Sequence, residues 1–300
     1  MEMEKIKSNT RESESGSENE SGAVSSEIDE RFEANLERLR NFRLMDDDFF
    51  TKCFDGDTKC VELVLRIVMD KPDLVVLDVR TQVFVVNLLH RSVRLDVLAT
   101  DGCGRKYNIE IQRADKGAGW KRACYNSSML DANNLKKGAE FFDLPETYVI
   151  FITENDVIGR GLPVYHIERV IQETGEIFRD EIHILYVNGA YRDNSPIGKL
   201  MHDFSCKEPD DMNYPVLAER ATFFKKTKEG IEIMCKAMED LWNQGVTEGV
   251  ELGMEKKAVE TAKLMLSDGE FTFDQIVKIS GLSAQKVQEL KEEALHAPEG

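Results

Sequence analysis

The chain contains no run of about 18 apolar residues, so nothing in it suits a membrane-spanning helix. Six cysteines (Cys53, Cys60, Cys103, Cys124, Cys206 and Cys235) form no C-x-x-C pair, and no histidine stands at zinc-ligand spacing from them. That scatter excludes a finger- or ribbon-type zinc site and leaves reduced thiols as the expectation. The five histidines are isolated. His166, His183 and His202 lie beside apolar runs and read as structural, since a histidine general base normally comes with a marked nucleophile or orienting acid. Met1 to Ser26 is rich in Glu and Ser and lacks the apolar stretch of a signal peptide, so a cytoplasmic protein is expected. Positive charge is also scarce, with 39 Lys and Arg against 56 Asp and Glu for a net charge of −17. Fourteen acids and seven bases fall in residues 1–48. Such acidity argues against a nonspecific nucleic-acid coat, although a local metal site can still present positive charge to a phosphate.

What is present suffices for a folded core: 300 residues at 41% hydrophobic content allow about two domains. Residues 1–28 are polar and charged enough to stay disordered. Residues 29–44 suit an amphipathic helix with Phe32, Leu36 and Leu39 on one face. Asp46, Asp47 and Asp48 then precede a short helix ending at Phe54, where they read mainly as N-terminal capping acids. Val61 to Met69 reads as a helix, and Leu74 to Val79 and Gln82 to Leu89 as two strands. Residues 117–137 suit a helix with a basic character from Lys121, Arg122, Lys136 and Lys137. The continuous apolar runs Tyr148–Thr153 and His183–Val187 read as interior strands. Strands interleaved with helices predict an α/β or mixed α+β layer architecture.

Two segments depart from ordinary strand chemistry. Arg94–Leu98 and Tyr107–Gln112 each read as a strand, and the turn formers Asp101, Gly102 and Gly104 between them predict an antiparallel hairpin. Alternation sends Tyr107, Ile109 and Ile111 to one face and Asn108, Glu110 and Gln112 to the other. A hairpin symmetric about Cys103 sets Asp96 opposite Glu110, with no Lys or Arg on that face of the strand to neutralise them. Such a pair must raise a pKa, share a proton or bind a cation, and oxygen-only ligands suit Mg²⁺ or Mn²⁺. Two ordinary acids on a solvated sheet face are the alternative.

Toward the C-terminus, Tyr214 to Trp242 turns helical and Met rich. Gly245, Gly249 and Gly253 then recur every four residues, stacking along one side of a helix. Each costs about 1 kcal/mol relative to Ala, which calls for close helix contact, between subunits as one option, or for a linker. Glu248, Glu251 and Glu255 exclude a membrane version of this stripe. Thr272 to Glu292 reads as helix, turn, helix, with Ile276, Ile279, Leu282, Val287 and Leu290 as its core and Ser283 as an N-cap. Its second helix is too acidic for an ordinary major-groove reader.

The stretch from Asp47 to about Met238 resembles the PD-(D/E)XK nuclease superfamily, specifically its transposase-like group related to bacterial recombination-promoting nucleases. The resemblance rests on Arg91-Ser92-Val93-Arg94-Leu95-Asp96-Val97, Tyr107 to Gln112, Tyr148 to Thr153, and Gly198-Lys199-Leu200-Met201-His202-Asp203-Phe204, in that order. The glycine-spaced segment and terminal helices also look like that group's tail. The resemblance implies a restriction-endonuclease-like core, a mixed sheet flanked by helices, with a helical C-terminal extension. The corresponding divisions are 1–28 (tail), 29–212 (nuclease-like domain), 213–260 (helical extension) and 261–300 (helix-turn-helix-like module).

It further implies a Mg²⁺- or Mn²⁺-dependent DNA endonuclease, with DNA and the metal as partners and a homodimer as an option. By that resemblance Asp96 and Glu110 are the metal-binding carboxylates, and Gln112 falls where the superfamily pattern has Lys. Asp47 best fits the acid of the leading helix. Arg122, with Lys121 beside it, matches a basic position suited to phosphate, and Cys124 stands where related sequences often have Arg. Gln112 offers only neutral hydrogen bonds, so a catalytically silent DNA- or protein-binding relative of the same fold is the alternative.

Overall fold

The computed structural model of the chain describes residues 31–87 and 91–296. The expected disordered tail, 1–28, lies outside the described residues, as do Leu88 and Leu89 of the expected second strand. The described residues divide into two compact units, with the boundary between Cys235 and Lys236.

The first unit is built on one six-stranded mixed sheet. Its strands are β1 (Val76–Val85), β2 (Val93–Asp101), β3 (Lys106–Gln112), β4 (Thr147–Thr153), β5 (Val164–Ile167) and β6 (Ile182–Asn188). They lie in the order β1-β2-β3-β4-β6-β5, with β3, β4 and β6 mutually parallel and the remaining pairs antiparallel. The all-apolar central run explains why β4 is buried at every position, since a strand covered on both faces has no solvent side.

Helix α1 (31–41) leads into α2 (Asp47–Phe54) and α3 (Thr58–Val68). Asp57 caps α3, accepting a hydrogen bond from the Cys60 amide. Helix α4 (Trp120–Asn134) carries the chain from β3 to the parallel β4, and α5 (Pro196–Ser205) and α6 (Pro215–Lys226) follow the sheet. One sheet face packs Val149, Phe151, Ile184 and Tyr186 against Ala123 of α4 and Ala118 before it. Aromatic rings tie α2 to α5, with the Phe50 centroid 4.2 Å from Phe54 and 6.1 Å from Phe204. This is the α/β arrangement of a mixed sheet flanked by helices that the alternation of elements predicts.

Several elements differ from expectation. The two strands expected across Leu74–Leu89 are one strand, β1, running through the polar Arg80-Thr81-Gln82 with Gln82 at φ +51°. Side-chain tethers from α2 and the turn after it make this tolerable: Thr81 donates to Asp55 (2.6 Å) and Gln82 to Thr51 (2.9 Å). The helix expected from 117 begins only at Trp120, because Asp115–Ala118 forms a 3₁₀ turn first. Strand β5 is short and at most half-buried, and carries too little periodicity to be read from sequence.

In the second unit, the C-terminal part of α7 (Lys228–Asp268) joins α8 (Phe273–Ser280) and α9 (Ala284–His296). Ala262, Met265, Ile276, Val287 and Leu290 form the core, with Leu282 partly buried beside them. Thr272 and Gln275 form a capping box on α8, Gly281 closes it at φ +74°, and Ser283 caps α9 by accepting from Lys286 N. Ile279, expected in this core, is 59% exposed and lies outside the cluster that Ile276 joins. At Gly245, Gly249 and Gly253 an added Cβ would meet nothing within 4 Å, so the expected close helix contact is not made within the described chain.

Candidate active site

The hairpin register places the site. Val97 pairs with Ile109, Leu98 with Asn108, Ala99 with Tyr107 and Thr100 with Lys106, the symmetric pairing about Cys103 that the sequence predicts. Asp101 locks it. Its carboxylate accepts from the amides of Cys103 (2.9 Å) and Arg105 (3.0 Å), the Arg105 guanidinium (2.6 Å) and the Tyr107 hydroxyl (2.9 Å).

Beyond Val97 and Ile109 the backbone pairing of the two strands stops and side chains take over. The Ile111 amide donates to Asp96 Oδ2 at 3.1 Å, and the Asp96 amide donates to Glu110 Oε1 at 3.4 Å. Each carboxylate therefore reaches across to the other strand. Both are buried, Asp96 at 5% exposure and Glu110 at 0%. Two ordinary acids on a solvated face are excluded by that burial.

The electrostatic consequence follows. Burial, then the neighbouring Glu110, then Asp47 push the Asp96 carboxyl up to about 8. Glu110 is also raised by burial, against the opposing pull of Arg122. The sequence expectation that no cation neutralises the pair holds along the strand and fails in three dimensions, because α4 delivers one. Arg122 Nη2 lies 2.9 Å from Glu110 Oε2, and Nη1 donates to Gln112 Oε1 (3.2 Å) and to the Gly117 carbonyl (3.0 Å).

An open cavity of about 860 Å³ adjoins this pair, lined by Asp47, Asp96, Gln112, Arg122, Lys121, Arg91 and Arg94 among others. Glu110 is not among its lining residues; Arg122 lies against it. Asp47 thus shares the cavity with Asp96, yet the three acids do not bring their oxygens together within 4.8 Å of one another. The expected capping role of its neighbour is not realised either. Asp46 makes no side-chain cap and instead binds Arg113 Nη1 (2.7 Å) and the Arg43 amide (2.7 Å), while Glu154 bridges the same arginines. This network pins the start of α2, and with it Asp47, to the ends of β3 and β4.

Sequence reasoning missed Gly117. A Cβ there would lie 1.9 Å from Gln112 Oε1 and 3.7 Å from Arg122 Nη1, so any other residue would push the end of the Gln112 side chain out of this position. The small-residue run Gly117-Ala118-Gly119 ahead of a helix was the available signal.

Residues 83–190 match the family model of the PD-(D/E)XK nuclease family transposase. The match runs from within β1 to just past β6, so it includes Asp96, Glu110, Gln112, Gly117 and Arg122 and excludes Asp47. No curated protein and no solved structure matches the chain.

A divalent ion fits the donor set of this family-matched segment. The donors are hard oxygens, two carboxylates are buried side by side, and among the described residues the hydrogen bond to the Asp96 carboxylate uses Oδ2. The one three-residue group among the described residues with ligand atoms inside 4.8 Å, His202, Asp203 and Cys206, fits less well. Asp203 Oδ1 accepts from Asn213 N and Nδ2, and Oδ2 accepts from Tyr214 N, all at 2.8 Å, so its oxygens are committed to holding a turn. No helix among the described residues is long and apolar enough to cross a membrane.

Proposed function

We propose that the protein is a divalent-metal-dependent DNA endonuclease of transposase-like or recombination-promoting type, acting in the cytoplasm. The observation that carries this reading is the buried Asp96–Glu110 pair at the point where β2 and β3 stop pairing, beside a cavity rimmed by Arg91, Arg94, Lys121 and Arg122. Acids below and cations above are what a phosphodiester needs: the acids hold a cation, and the rim receives the phosphate. Support comes from the family match over the segment that contains the pair.

Asp96 and Glu110 would hold Mg²⁺ or Mn²⁺, with Asp47 as a further acid of the cavity. Such an ion, when bound, polarises the scissile phosphate and acidifies a water into a nucleophile. Gln112 orients through its amide, and Lys121 and Arg122 offer charge to the phosphate oxygens. One such site per chain cuts one strand, so cleavage of both strands calls for two copies or two encounters.

The test is cleavage of supercoiled plasmid with Mg²⁺ or Mn²⁺ by the parent protein, Asp96→Ala and Glu110→Ala. Cleavage by the parent alone supports the nuclease; equal cleavage by all three means contamination and ends the assignment. A second reading, a silent DNA-binding relative, is favoured by one observation, that Gln112 stands in the Lys position and is engaged by Arg122. DNA binding by the parent without cleavage under either metal would select it.

A further inference from the structure

The contacts of Arg122 point to a role beyond phosphate binding. We propose that Arg122 is a built-in stand-in for the metal: it pairs with Glu110 in competition with a divalent cation, and it is released toward the DNA phosphate when the cation takes its place. This rests on the metallonuclease reading above and adds a device to it.

Three observations converge. Glu110 is wholly buried and is the one member of the pair that does not line the cavity, whereas Asp96 and Arg122 both do. With Arg122 Nη2 2.9 Å from Glu110 Oε2, the guanidinium stands between this carboxylate and the open space. An ion entering from the cavity meets Asp96 directly and reaches Glu110 only after Arg122 has moved.

The second observation concerns Gln112. Its Oε1 accepts from Arg122 Nη1 at 3.2 Å, and the Gly117 carbonyl accepts from the same nitrogen at 3.0 Å. A lysine at 112 would set an ammonium against the guanidinium and expel it; a neutral amide oxygen completes its berth. The departure from the superfamily pattern and the docking of Arg122 are therefore two halves of one arrangement, with Gly117 leaving room for the Gln112 amide oxygen. Third, the Arg122 side chain remains 42% exposed, on the first turn of α4 at the cavity wall, so it can leave without unpacking the core.

A permanent structural ion pair predicts the opposite behaviour, since deleting Arg122 would then loosen Glu110 and weaken or spare metal binding. The experiment measures Mn²⁺ binding to the full chain without DNA by electron paramagnetic resonance of the free ion. The proteins compared are the parent, Arg122→Gln and Asp96→Ala. Arg122→Gln should bind Mn²⁺ on the order of tenfold more tightly than the parent, because the resident cation no longer competes. Unchanged or weaker binding overturns the proposal while leaving the nuclease reading intact. Equal binding by Asp96→Ala and the parent overturns the metal site itself.

A measurement on the unaltered protein guards against misfolding of the variant. The Arg122 guanidinium ¹⁵N resonances should shift and sharpen as Mg²⁺ is added, in step with the shift of the Ile111 amide beside Asp96. An Ile111 amide that responds while the Arg122 resonances stay fixed overturns the proposal.

Discussion

Replacing Asp96 by Asn should stabilise the metal-free protein, and increasingly so as pH rises. Asp96 is 5% exposed and its carboxyl is pushed up to about 8, first by burial and then by Glu110 and Asp47. An acid raised in the folded state contributes its full stability below the unfolded value near 3.9, and that contribution is lost as pH climbs through the folded value. Between those limits the slope is about 1.4 kcal/mol per pH unit, so from pH 5.5 to 8 the parent should lose about 3 kcal/mol, or about 2 after water in the cavity screens the charge. Asn loses nothing over that range, and its carbonyl oxygen can still accept from Ile111 N. Hydrogen exchange of the Ile109 and Ile111 amides at both pH values, with chelator present, reports the opening free energy of this sheet. Protection that is flat with pH in the parent, or no higher in Asp96→Asn than in the parent at pH 8, would refute the reasoning. Adding Mn²⁺ should reverse the order, stabilising only the parent.

Three further outcomes follow from the same geometry. Gly117→Ala, whose Cβ would overlap Gln112 Oε1, should displace the amide and lower plasmid cleavage by about 10- to 100-fold with little change in thermal midpoint; unaltered cleavage would mean the Gln112 berth is irrelevant. Metal binding by the parent should tighten roughly tenfold per pH unit below about 8 and level off above it, because the proton on Asp96 must leave first; calorimetry across pH 6 to 9 checks the break point. In the second unit, Ile276→Ala should cost about 2–4 kcal/mol and Ile279→Ala less than about 0.5, read from exchange protection within α8 and α9; similar costs would contradict the burial of Ile276 and the exposure of Ile279.

Local chemistry made much of this protein readable in its sequence. Turn residues and a period of two were enough to set the β2–β3 register, because a slip of one residue would have sent Tyr107, Ile109 and Ile111 to the wrong face. The same register put Asp96 across from Glu110, and the apolar runs of β4 and β6 marked the centre of the sheet. The cap at Ser283 was legible for the same reason, since a cap bonds within three residues of itself.

What sequence could not reveal depends on groups far apart along the chain. Arg122 meets Glu110 only because α4 folds back onto the sheet. Asp46 spends its carboxylate on Arg113, 67 residues away, and not on the cap its position suggests. The space a Cβ would take at Gly117 is filled by the amide of Gln112. Alternation and spacing determined which residues share a face; the tertiary structure alone decided which charges answer one another across the layers, since Coulombic and steric contacts act through space and leave no period in the sequence.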